Sequence, residues 1–493
     1  MYFELHAASA FSFLEAASLP ETLIAQAARY GYPAIALLDR DGVYGAPRFH
    51  RAATAAGIKA IIGAEITIEA SASSSLAPHP SPLRVPILVE SAEGYQNLCR
   101  LITRMKMRAP KGEGALTLDE LDGHTRGLIA LAGRELLGFQ KFGVGGLIDP
   151  LVGVFGRSNV YVEIQRHLLR DEEADNRLLV DVAGTFHVPV VATNGVCFAD
   201  PAERPLFDVL TCIHHKTTLA QAGKRLARNS ERYLKPREEM ARLFRDLPAA
   251  LASTEALAER LDYTMADLGY RFPDYPVPPG ETHASFLRKL ADLGARDRYR
   301  PYHDRARAQI ARELDLIERL DLAGYFLIVW DIVNFCRHND ILVQGRGSAA
   351  NSAVCYSLGI TAVDPVGMDL LFERFLSEER GEWPDIDLDL PSGDRRERVI
   401  QHVYEKYGRL GAAPGGPRVA MTANVITYRG RSAAREVGKV LSMEPGQVDR
   451  LAKIMNHFEW VDPKETLARN LRDAGLDAEH PAIQSFGTLW QRI

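Results

Sequence analysis

Acidic side chains recur at every second position in the segment WPDIDLDL, residues 383–390. Because side chains alternate between the two faces of a β-strand, Asp385, Asp387 and Asp389 are predicted to share one face. Carboxylates spaced about 7 Å apart along a strand repel each other, and divalent cations relieve that repulsion. Carboxylate oxygens suit Mg²⁺, and two such ions can orient the nucleophile and the leaving phosphate in phosphoryl transfer. The same pattern also fits a solvated edge strand that its charge protects from pairing with other strands.

A glycine-rich loop, QGRGSAANS at residues 344–352, follows a short apolar run and precedes a helical pattern. We predict a strand over Ile341–Val343, then this loop, then a helix that ends near Leu358. Small residues allow backbone N–H groups to approach an anion, a helix N-terminus favours negative charge, and Arg346 adds a forked guanidinium for phosphate. The loop lacks the GK[ST] ending of a Walker A loop, and it also fits an ordinary strand–turn–helix junction with a serine cap.

The glycine-rich loop and the acidic strand together are a stronger indication of function than either motif alone. Some 37 residues separate Ser348 from Asp385, and Arg374 and Arg380 lie between them. A phosphate loop, arginines and metal-binding acids are the parts that a nucleotidyl transferase requires. The combination therefore predicts chemistry on a phosphate ester.

Upstream of these motifs, short apolar runs alternate with helical patterns. The predicted strands are Tyr2–Leu5, Ala34–Asp39, Ala60–Ile68, Val85–Val89, Gly127–Ala132, Val160–Ile164 and Val188–Ala192. The βαβα order of residues 2–68 predicts a parallel sheet or barrel, and about seven strands with intervening helices fit a small, TIM-like α/β barrel.

Proline and glycine mark two breaks in the chain. Tyr270–Glu281 contains four prolines and is predicted to be an extended linker, and GAAPGGP at residues 411–417 forms a second break. We therefore predict a barrel at residues 1–270, a mixed α/β domain at residues 271–415 with helices over 284–338 and 395–407, and a mostly helical domain at residues 416–493.

The composition is that of a globular protein with several domains, since 46% of the 493 residues are hydrophobic and 25% are charged. The sequence shows neither a run of eighteen apolar residues nor a secretory signal, so we predict no membrane span. Five scattered cysteines without a CxxC pair fit free thiols in the cytoplasm. The net charge is −5, yet residues 395–440 hold ten Lys or Arg against three Asp or Glu. That local excess is compatible with a nucleic-acid partner.

The motifs GRGSAANS, LLFERFLSEER and PDIDLD, in this order and at this spacing, resemble the palm domain of bacterial DNA polymerase III α-type enzymes of the C family. The resemblance implies a palm of the polymerase-β-like nucleotidyltransferase type, followed by a helical thumb. It implies that Asp385 and Asp387 hold two catalytic Mg²⁺ ions and that Asp389 occupies a more variable third metal position. The nucleotide-binding residues that it implies are Gly345, Arg346, Gly347, Ser348, Arg374 and Arg380.

The N-terminal barrel resembles the polymerase-and-histidinol-phosphatase (PHP) domain of the same family in ELHAASAFSFLEAAS, ALLDRDGVYG, IIGAE and ATNGVCFAD. Of the metal ligands typical of that domain, His6, Asp39 and Glu65 are kept. The ligand positions that carry other residues are Ala8, Glu15, Arg40, Gly195 and Cys197. Loss of so many ligands removes most metal affinity, so we expect a structural barrel without phosphoesterase or proofreading activity.

Residues 418–445 resemble the start of the family's thumb. Arg429, Arg431, Arg435 and Lys439 recur there at helical spacing and are predicted to contact the DNA backbone from one face. A solvated helix face would give the same pattern.

The resemblance implies template-directed nucleotidyl transfer, in which a primer 3′-hydroxyl attacks the α-phosphate of a dNTP. Residues 5–53 resemble the error-prone, translesion branch more than the main replicase. Primer–template DNA and dNTPs are the expected substrates, and a sliding clamp and mutasome proteins are the expected partners of the full-length enzyme. In the family, the third catalytic Asp and the fingers follow the thumb, so the chain alone is expected to be inactive. Two alternatives stay open, a PHP-type metal phosphoesterase and a non-catalytic DNA-binding scaffold.

Overall fold

The structure is a computed structural model that describes residues 2–69, 83–110, 112–138, 148–266, 268, 275–376, 384–408, 419–422, 424–454 and 480–493. Contacts divide the chain into two compact units, one formed by Met1–Leu268 together with Ile426–Ile493 and the other by Gly269–Val425. Arg380, the break at residues 411–417 and the first half of the proline-rich linker lie outside the described residues. The division into three domains stays a prediction. In the part of the chain that the structure describes, no helix is long and apolar enough to cross a membrane.

A seven-stranded sheet forms the framework of the first unit. Its strands are β1 Glu4–Ala7, β2 Ala34–Arg40, β3 Lys59–Ile68, β4 Leu83–Val89, β5 Leu128–Ala132, β6 Val160–Gln165 and β7 Val190–Thr193. They pair in chain order, and a parallel bridge between Ala7 and Val196 brings the two ends of the sheet together into a nearly closed barrel. Most strand residues are buried because both faces of the sheet are covered, which explains the near-continuous apolar runs in the sequence. The predicted barrel of about seven strands is confirmed.

The direction of one strand differs from the prediction. β1, β2 and β3 are parallel, as are β5, β6 and β7. β4 runs antiparallel to both of its neighbours, β3 and β5. A parallel neighbour needs a crossover connection, usually a helix, whereas the sequence between β3 and β4 is a polar, proline-rich stretch. The expected parallel sheet is therefore wrong at β4.

Helices surround the barrel strands in the first part of this unit. They are α1 Pro20–Arg29, α2 Ala46–Ala56, α3 Ala92–Arg108, α4 Ile148–Phe155, α5 Glu172–Phe186, α6 Arg204–His214, α7 Leu219–Ala222, α8 Arg237–Leu243 and α9 Pro248–Arg260. Alternate strand residues enter two separate apolar clusters, one that includes Ile35 and Ile62 and one that includes Leu38, Leu88 and Leu257 of α9. The alternation of side chains thus lets one sheet hold two cores.

The second unit is mostly helical. Its elements are α10 His283–Arg298, α11 Asp304–Arg319, α12 Ala323–His338, β8 Gln344–Arg346, α13 Ala353–Ser357, β9 Asp387–Asp389 and α14 Asp394–Val403. The helix α10 begins with a reciprocal capping box between Thr282 and Ser285. The apolar faces of α10 to α13 enclose one core around the fully buried Phe326. The helical pattern predicted over residues 284–338 is confirmed as three successive helices.

The strand predicted at Ile341–Val343 is wrong. The strand begins three residues later, at Gln344, inside the glycine-rich motif itself. The N–H group of Ile341 donates to the carbonyl of Cys336, and its side chain packs against Cys336 and Val399. The apolar residues after α12 are buried because they pack against the end of that helix, and in the sequence such a run resembles a short strand.

The C-terminal helices of the first unit are α15 Gly430–Val440, α16 Pro445–Ile454 and α17 Pro481–Arg492. Small and apolar residues of α15, including Ala434 and Val437, share an apolar cluster with Leu206 and Phe207 of α6. Phe486 of α17 is fully buried in the same cluster. One face of α15 is therefore buried, and its remaining side chains are available to solvent.

Candidate functional site

The acidic residues at positions 385–389 lie on and next to a short strand with one face open to solvent. Asp385, Asp387 and Asp389 are exposed, whereas Ile386 and Leu388 are half-buried and pack against the core of the second unit. The hydroxyl of Tyr325 accepts a hydrogen bond of 3.0 Å from the N–H group of Ile386. The shared face predicted for the three carboxylates is therefore present, and Ile386 and Leu388 hold it in place.

The glycine-rich motif is the pairing partner of that strand. β8 and β9 are antiparallel, with Arg346 opposite Asp387 and Gln344 opposite Asp389. Two motifs that lie far apart in the sequence thus become direct neighbours. The sequence predicted that they act together, but it gave no basis for predicting this register.

Two glycines let the motif follow this path. A Cβ atom at Gly345 would lie 2.6 Å from the carbonyl oxygen of Ile360, so only glycine fits without a shift of the backbone. Gly347 has a φ of +68°, in the left-handed region that favours glycine. A Cβ atom there would lie 3.6 Å from Oδ2 of Asp387, and the Ser348 hydroxyl lies 3.3 Å from the carbonyl oxygen of Asp385, to which it donates. The loop therefore approaches the acids closely.

The three carboxylates differ in their electrostatic partners. Nε of Arg346 lies 3.0 Å from Oδ1 of Asp389, and both side chains are more than half exposed. In the described residues, no side chain forms an ion pair or hydrogen bond with the carboxylate of Asp385 or Asp387. Arg346 thus compensates the charge of Asp389, while the carboxylates of Asp385 and Asp387 have no side-chain partner among the described residues. An exposed ion pair of this kind is weak and can exchange its partner.

A buried carboxylate that the sequence motifs did not indicate, that of Glu313, accepts hydrogen bonds at the point where the glycine-rich loop ends and the next helix begins. Glu313 of α11 is fully buried and accepts hydrogen bonds from the Ser352 hydroxyl at 2.8 Å and from the N–H groups of Ala353 and Val354 at 3.0 Å. It also accepts from Gln309 at 2.7 Å. Burial raises the pKa of the Glu313 carboxyl, and these hydrogen bonds oppose that rise. Glu313 therefore caps the helix that follows the glycine-rich loop.

The sequence contained a signal for Glu313. The buried positions of α11 are Ala306, Ile310, Glu313, Leu314 and Ile317, a helical spacing in which one member is an acid. A carboxylate on the apolar face of a helix requires nearby donors. Arg374, in contrast, lies exposed at the end of a short 3₁₀ turn, and its nucleotide-binding role stays a prediction.

At the mouth of the barrel, the retained PHP-type residues contact one another or neighbouring polar groups. Nδ1 of His6 lies 2.7 Å from Oε1 of Glu163, and its Nε2 lies 3.5 Å from Oε1 of Glu65. Burial alone would lower the pKa of His6. The neighbouring carboxylates of Glu163 and Glu65 raise it by more, so the pKa of His6 lies well above its usual range. Asp39 is fully buried and accepts hydrogen bonds from Ser9 and Ser12, and burial raises its pKa to about 6 in spite of them.

Arginines contact the acids at this mouth. Arg40, at a position where the resemblance to the PHP domain implies a ligand, forms an ion pair with Glu15. Nη1 of Arg84 lies 2.9 Å from Oε2 of Glu15 and 3.7 Å from Oε2 of Glu65. Cys197 is buried, which raises the pKa of its thiol. Among the described residues, no group of three or more His, Cys, Asp or Glu side chains is placed to hold a metal ion.

The basic residues predicted to contact DNA have different surroundings on α15. Arg431 is exposed and has no ion pair among the described residues. Arg435 lies 3.5 Å from Asp449, and Lys439 lies 2.7 Å from Glu436. Arg429 precedes the helix, where its N–H group donates to Ser432. Their shared role in DNA binding stays a prediction.

Comparison with known proteins matches both parts of the chain to families. Residues 285–493 match the bacterial DNA polymerase III alpha NTPase domain, and residues 4–167 match the PHP domain. The chain is 43% identical over 470 residues to an error-prone DNA polymerase of Mycobacterium bovis, covering 93% of this chain and 42% of that protein. It is 39% identical over 568 residues to an error-prone DNA polymerase of Anaeromyxobacter dehalogenans, covering 97% of this chain and 47% of that protein.

The chain therefore spans less than half the length of these relatives. Among solved structures, an amidohydrolase from Chromobacterium violaceum is 15% identical, with a TM-score of 0.26 and coverage of 40% of this chain and 86% of that one.

Proposed function

We propose that this chain, which belongs to the family of PHP-containing bacterial DNA polymerase III alpha proteins, carries the metal- and nucleotide-binding face of an error-prone DNA polymerase. The family assignment rests on the two domain matches and on the identity to error-prone polymerases over most of the chain. The observation that carries the proposal is the pair of open carboxylates, Asp385 and Asp387, directly beside the glycine-rich loop.

The residues present fit Mg²⁺. Asp385 and Asp387 offer hard oxygen donors on one exposed face, and no cation of the described residues neutralises them. In sites for phosphate substrates, Mg²⁺ is held by one or two carboxylates and completes its shell with water and phosphate oxygens. Bound Mg²⁺ would supply Lewis-acid stabilisation for the charge that develops on the reacting phosphate. We propose two ions, as the resemblance to the family implies.

The protein's own groups would bind and orient the triphosphate. The backbone at Gly347 and Ser348 is free of side-chain bulk and lies beside Asp387, so its N–H groups can approach phosphate oxygens. The guanidinium of Arg346 can exchange Asp389 for a phosphate, because its present ion pair is exposed and weak. Glu313 would act at a distance as a positioning residue, since it holds the helix that follows the loop.

In the full-length protein, the proposed reaction is attack of a primer 3′-hydroxyl on the α-phosphate of a dNTP, directed by a template. Primer–template DNA is the proposed partner, and Arg431, which is exposed and has no ion pair among the described residues, is the first candidate for a contact to the DNA backbone. A sliding clamp, mutasome proteins and a cytoplasmic location follow only from the family resemblance. No contact in the barrel favours a metal phosphoesterase as a second function, because Asp39 and Glu65 already have partners.

The test compares Asp387→Asn with Asp389→Asn. Mn²⁺ replaces Mg²⁺, and its binding to the chain is followed by electron paramagnetic resonance in the presence of a dNTP. We expect Asp387→Asn to weaken Mn²⁺ binding by about tenfold or more, and Asp389→Asn by about threefold or less, because Arg346 already neutralises Asp389. In the full-length polymerase, Asp387→Asn should reduce nucleotide incorporation by roughly a thousandfold.

Circular dichroism of both variants controls for folding. Equal losses of Mn²⁺ affinity in the two variants would show that the ion pair of Asp389 with Arg346 does not reduce the contribution of Asp389 to metal binding. Unchanged Mn²⁺ binding and unchanged incorporation in Asp387→Asn would refute the proposal.

A further inference from the structure

Arginines outnumber acidic residues in a cleft at the mouth of the barrel. The cleft has a volume of about 470 Å³ and is formed entirely by residues of the first unit. Its charged walls comprise the guanidinium groups of Arg40, Arg84, Arg225 and Arg232 and the carboxylates of Glu15, Glu65 and Glu135. Cationic groups therefore outnumber acids by one before any histidine is counted. A cleft with a prevailing sign of charge concentrates ions of the opposite sign.

Two of these arginines are available to a ligand. The carboxylates of Glu15 and Glu65 contact Arg40 and Arg84. Arg225 is exposed, and neither it nor Arg232 forms an ion pair within the described part of the chain. Nε of Arg232 donates to the carbonyl oxygen of Gly195 at 2.7 Å, which fixes the side chain and leaves its two terminal nitrogens for another acceptor.

Cations of the cleft act on His214 and His215, two of its three histidines, whereas the third, His6, is paired with glutamates. Burial and the cations Arg40 and Arg84 lower the pKa of His214. Burial, His214 and Arg225 lower the pKa of His215. A bound anion would relieve this repulsion.

We propose that this cleft binds a phosphate-bearing anion directly through arginine and without a metal ion, with Arg225 and Arg232 as the principal contacts. The forked guanidinium matches the geometry of a phosphate group, and one side chain can donate two parallel hydrogen bonds to it. The volume accommodates phosphate or pyrophosphate, and the open mouth also admits the terminal phosphate of a DNA strand. In this proposal, arginine side chains supply the positive charge that metal ions supply in a typical PHP site.

The test measures binding of inorganic phosphate and pyrophosphate to the whole chain by isothermal titration calorimetry in the presence of EDTA. Arg225→Glu is the principal variant, because this side chain is exposed and forms no hydrogen bond or ion pair among the described residues. Arg232→Ala is the second variant, with thermal unfolding as its control for folding. Arg51→Glu, an exposed position on α2 outside the cleft, carries the same change of charge as a matched control.

We expect binding in EDTA, a loss of about tenfold or more in Arg225→Glu and in Arg232→Ala, and no comparable loss in Arg51→Glu. Binding that requires a divalent ion, absence of binding, or equal losses in all three variants would overturn the proposal. An oligonucleotide with a 5′-phosphate that competes better than its unphosphorylated form identifies a DNA end as the source, and equal competition identifies free phosphate or pyrophosphate. Asp387→Asn should leave this binding unchanged, so failure here is separate from failure of the polymerase proposal.

Discussion

Carboxylates gather at the barrel mouth and on the acidic strand of the second unit, and the two regions differ in what surrounds them. At the barrel mouth, Arg84 contacts both Glu15 and Glu65, and Asp39 accepts hydrogen bonds from serine residues. On the acidic strand, Arg346 contacts Asp389 alone. At the barrel mouth, the protein's own groups compensate the negative charge of these carboxylates. On the acidic strand, part of that negative charge has no partner among the described residues.

This difference shows why a count of acids does not identify a metal site. Acids that already have guanidinium or hydroxyl partners must lose them before they can bind a cation, and breaking such contacts costs free energy. Acids that face solvent without partners lower their mutual repulsion when a cation binds. The comparison therefore predicts opposite responses of the two regions when their charges are changed.

The largest effect is expected where a carboxylate is compensated by N–H and O–H donors alone. Glu313→Ala removes the acceptor of two backbone N–H groups and of the Ser352 hydroxyl, all of which remain buried. We expect a loss of about 3–5 kcal/mol in the stability of the second unit. Hydrogen exchange of peptides that cover residues 344–358 measures this loss directly.

Glu313→Gln keeps an acceptor but not the charge, and it should lose about half as much stability. Glu318→Ala, at an exposed position on the same helix, is the matched control and should cost less than about 0.5 kcal/mol. Exchange rates that are equal in Glu313→Ala and Glu318→Ala would mean that the buried carboxylate does not hold the loop.

The second effect concerns pH and the buried carboxyl of Asp39. Burial raises its pKa to about 6, above the ordinary value of about 3.9, so the folded state binds this proton more tightly than the unfolded state does. The stability of the first unit should therefore fall as the pH rises from about 4 to about 6, by on the order of 3 kcal/mol from this group. Urea unfolding at a series of pH values tests the direction.

Glu4, whose pKa burial raises to about 7, acts in the same direction and extends the decline to neutral pH. Asp39→Asn should therefore flatten the lower part of the profile and leave the upper part in place. A variant profile that follows the wild type between pH 4 and pH 6 would show that Asp39 does not titrate there.

Local patterns predicted the barrel well, because each strand is buried on both faces and appears as an apolar run. Pairing over long distances could not be predicted in the same way. The direction of β4 depends on how the chain returns after β3, and the register that places Arg346 opposite Asp387 depends on the fold of the whole second unit. The sharing of one face by the three aspartates, in contrast, follows from local geometry and was predicted.

The partners of the acids were the least predictable feature. Arg84 lies on β4, outside every motif that the sequence analysis used, yet it contacts two acids of the PHP-type site. The sequence motifs indicate which ligand positions carry other residues, but the source of the compensating charge is visible only in three dimensions. Glu313 was missed for a different reason, since its signal lay in the spacing of one helix and not in a functional motif.

Removal of the compensating cation should destabilise the barrel. Arg84→Met keeps much of the aliphatic volume but removes the guanidinium between Glu15 and Glu65. We expect a loss of about 1–2 kcal/mol, because all three side chains are partly exposed and solvent screens their interaction. Urea unfolding at neutral pH measures it.

The double variant Arg84→Met with Glu15→Gln should recover part of that loss, since the acid no longer requires a partner. Losses that simply add in the double variant would show that Arg84 and Glu15 act independently. In that case the barrel mouth would not be compensated in the way proposed here.

The smallest effect has the opposite sign and lies on the acidic strand. Asp387→Asn removes one of the carboxylates that repel each other on the open face and costs no ion pair among the described residues. Without divalent cations, we expect the second unit to gain about 0.5 kcal/mol of stability, measured by hydrogen exchange of peptides around residues 384–390. With Mg²⁺ and a dNTP, the wild type should be the more stable of the two proteins, because it binds the ion more tightly and therefore gains more stability from it. A variant that is less stable than the wild type without metal would mean that Asp387 has a structural partner after all, and the contrast between the two regions would fail on the side of the acidic strand.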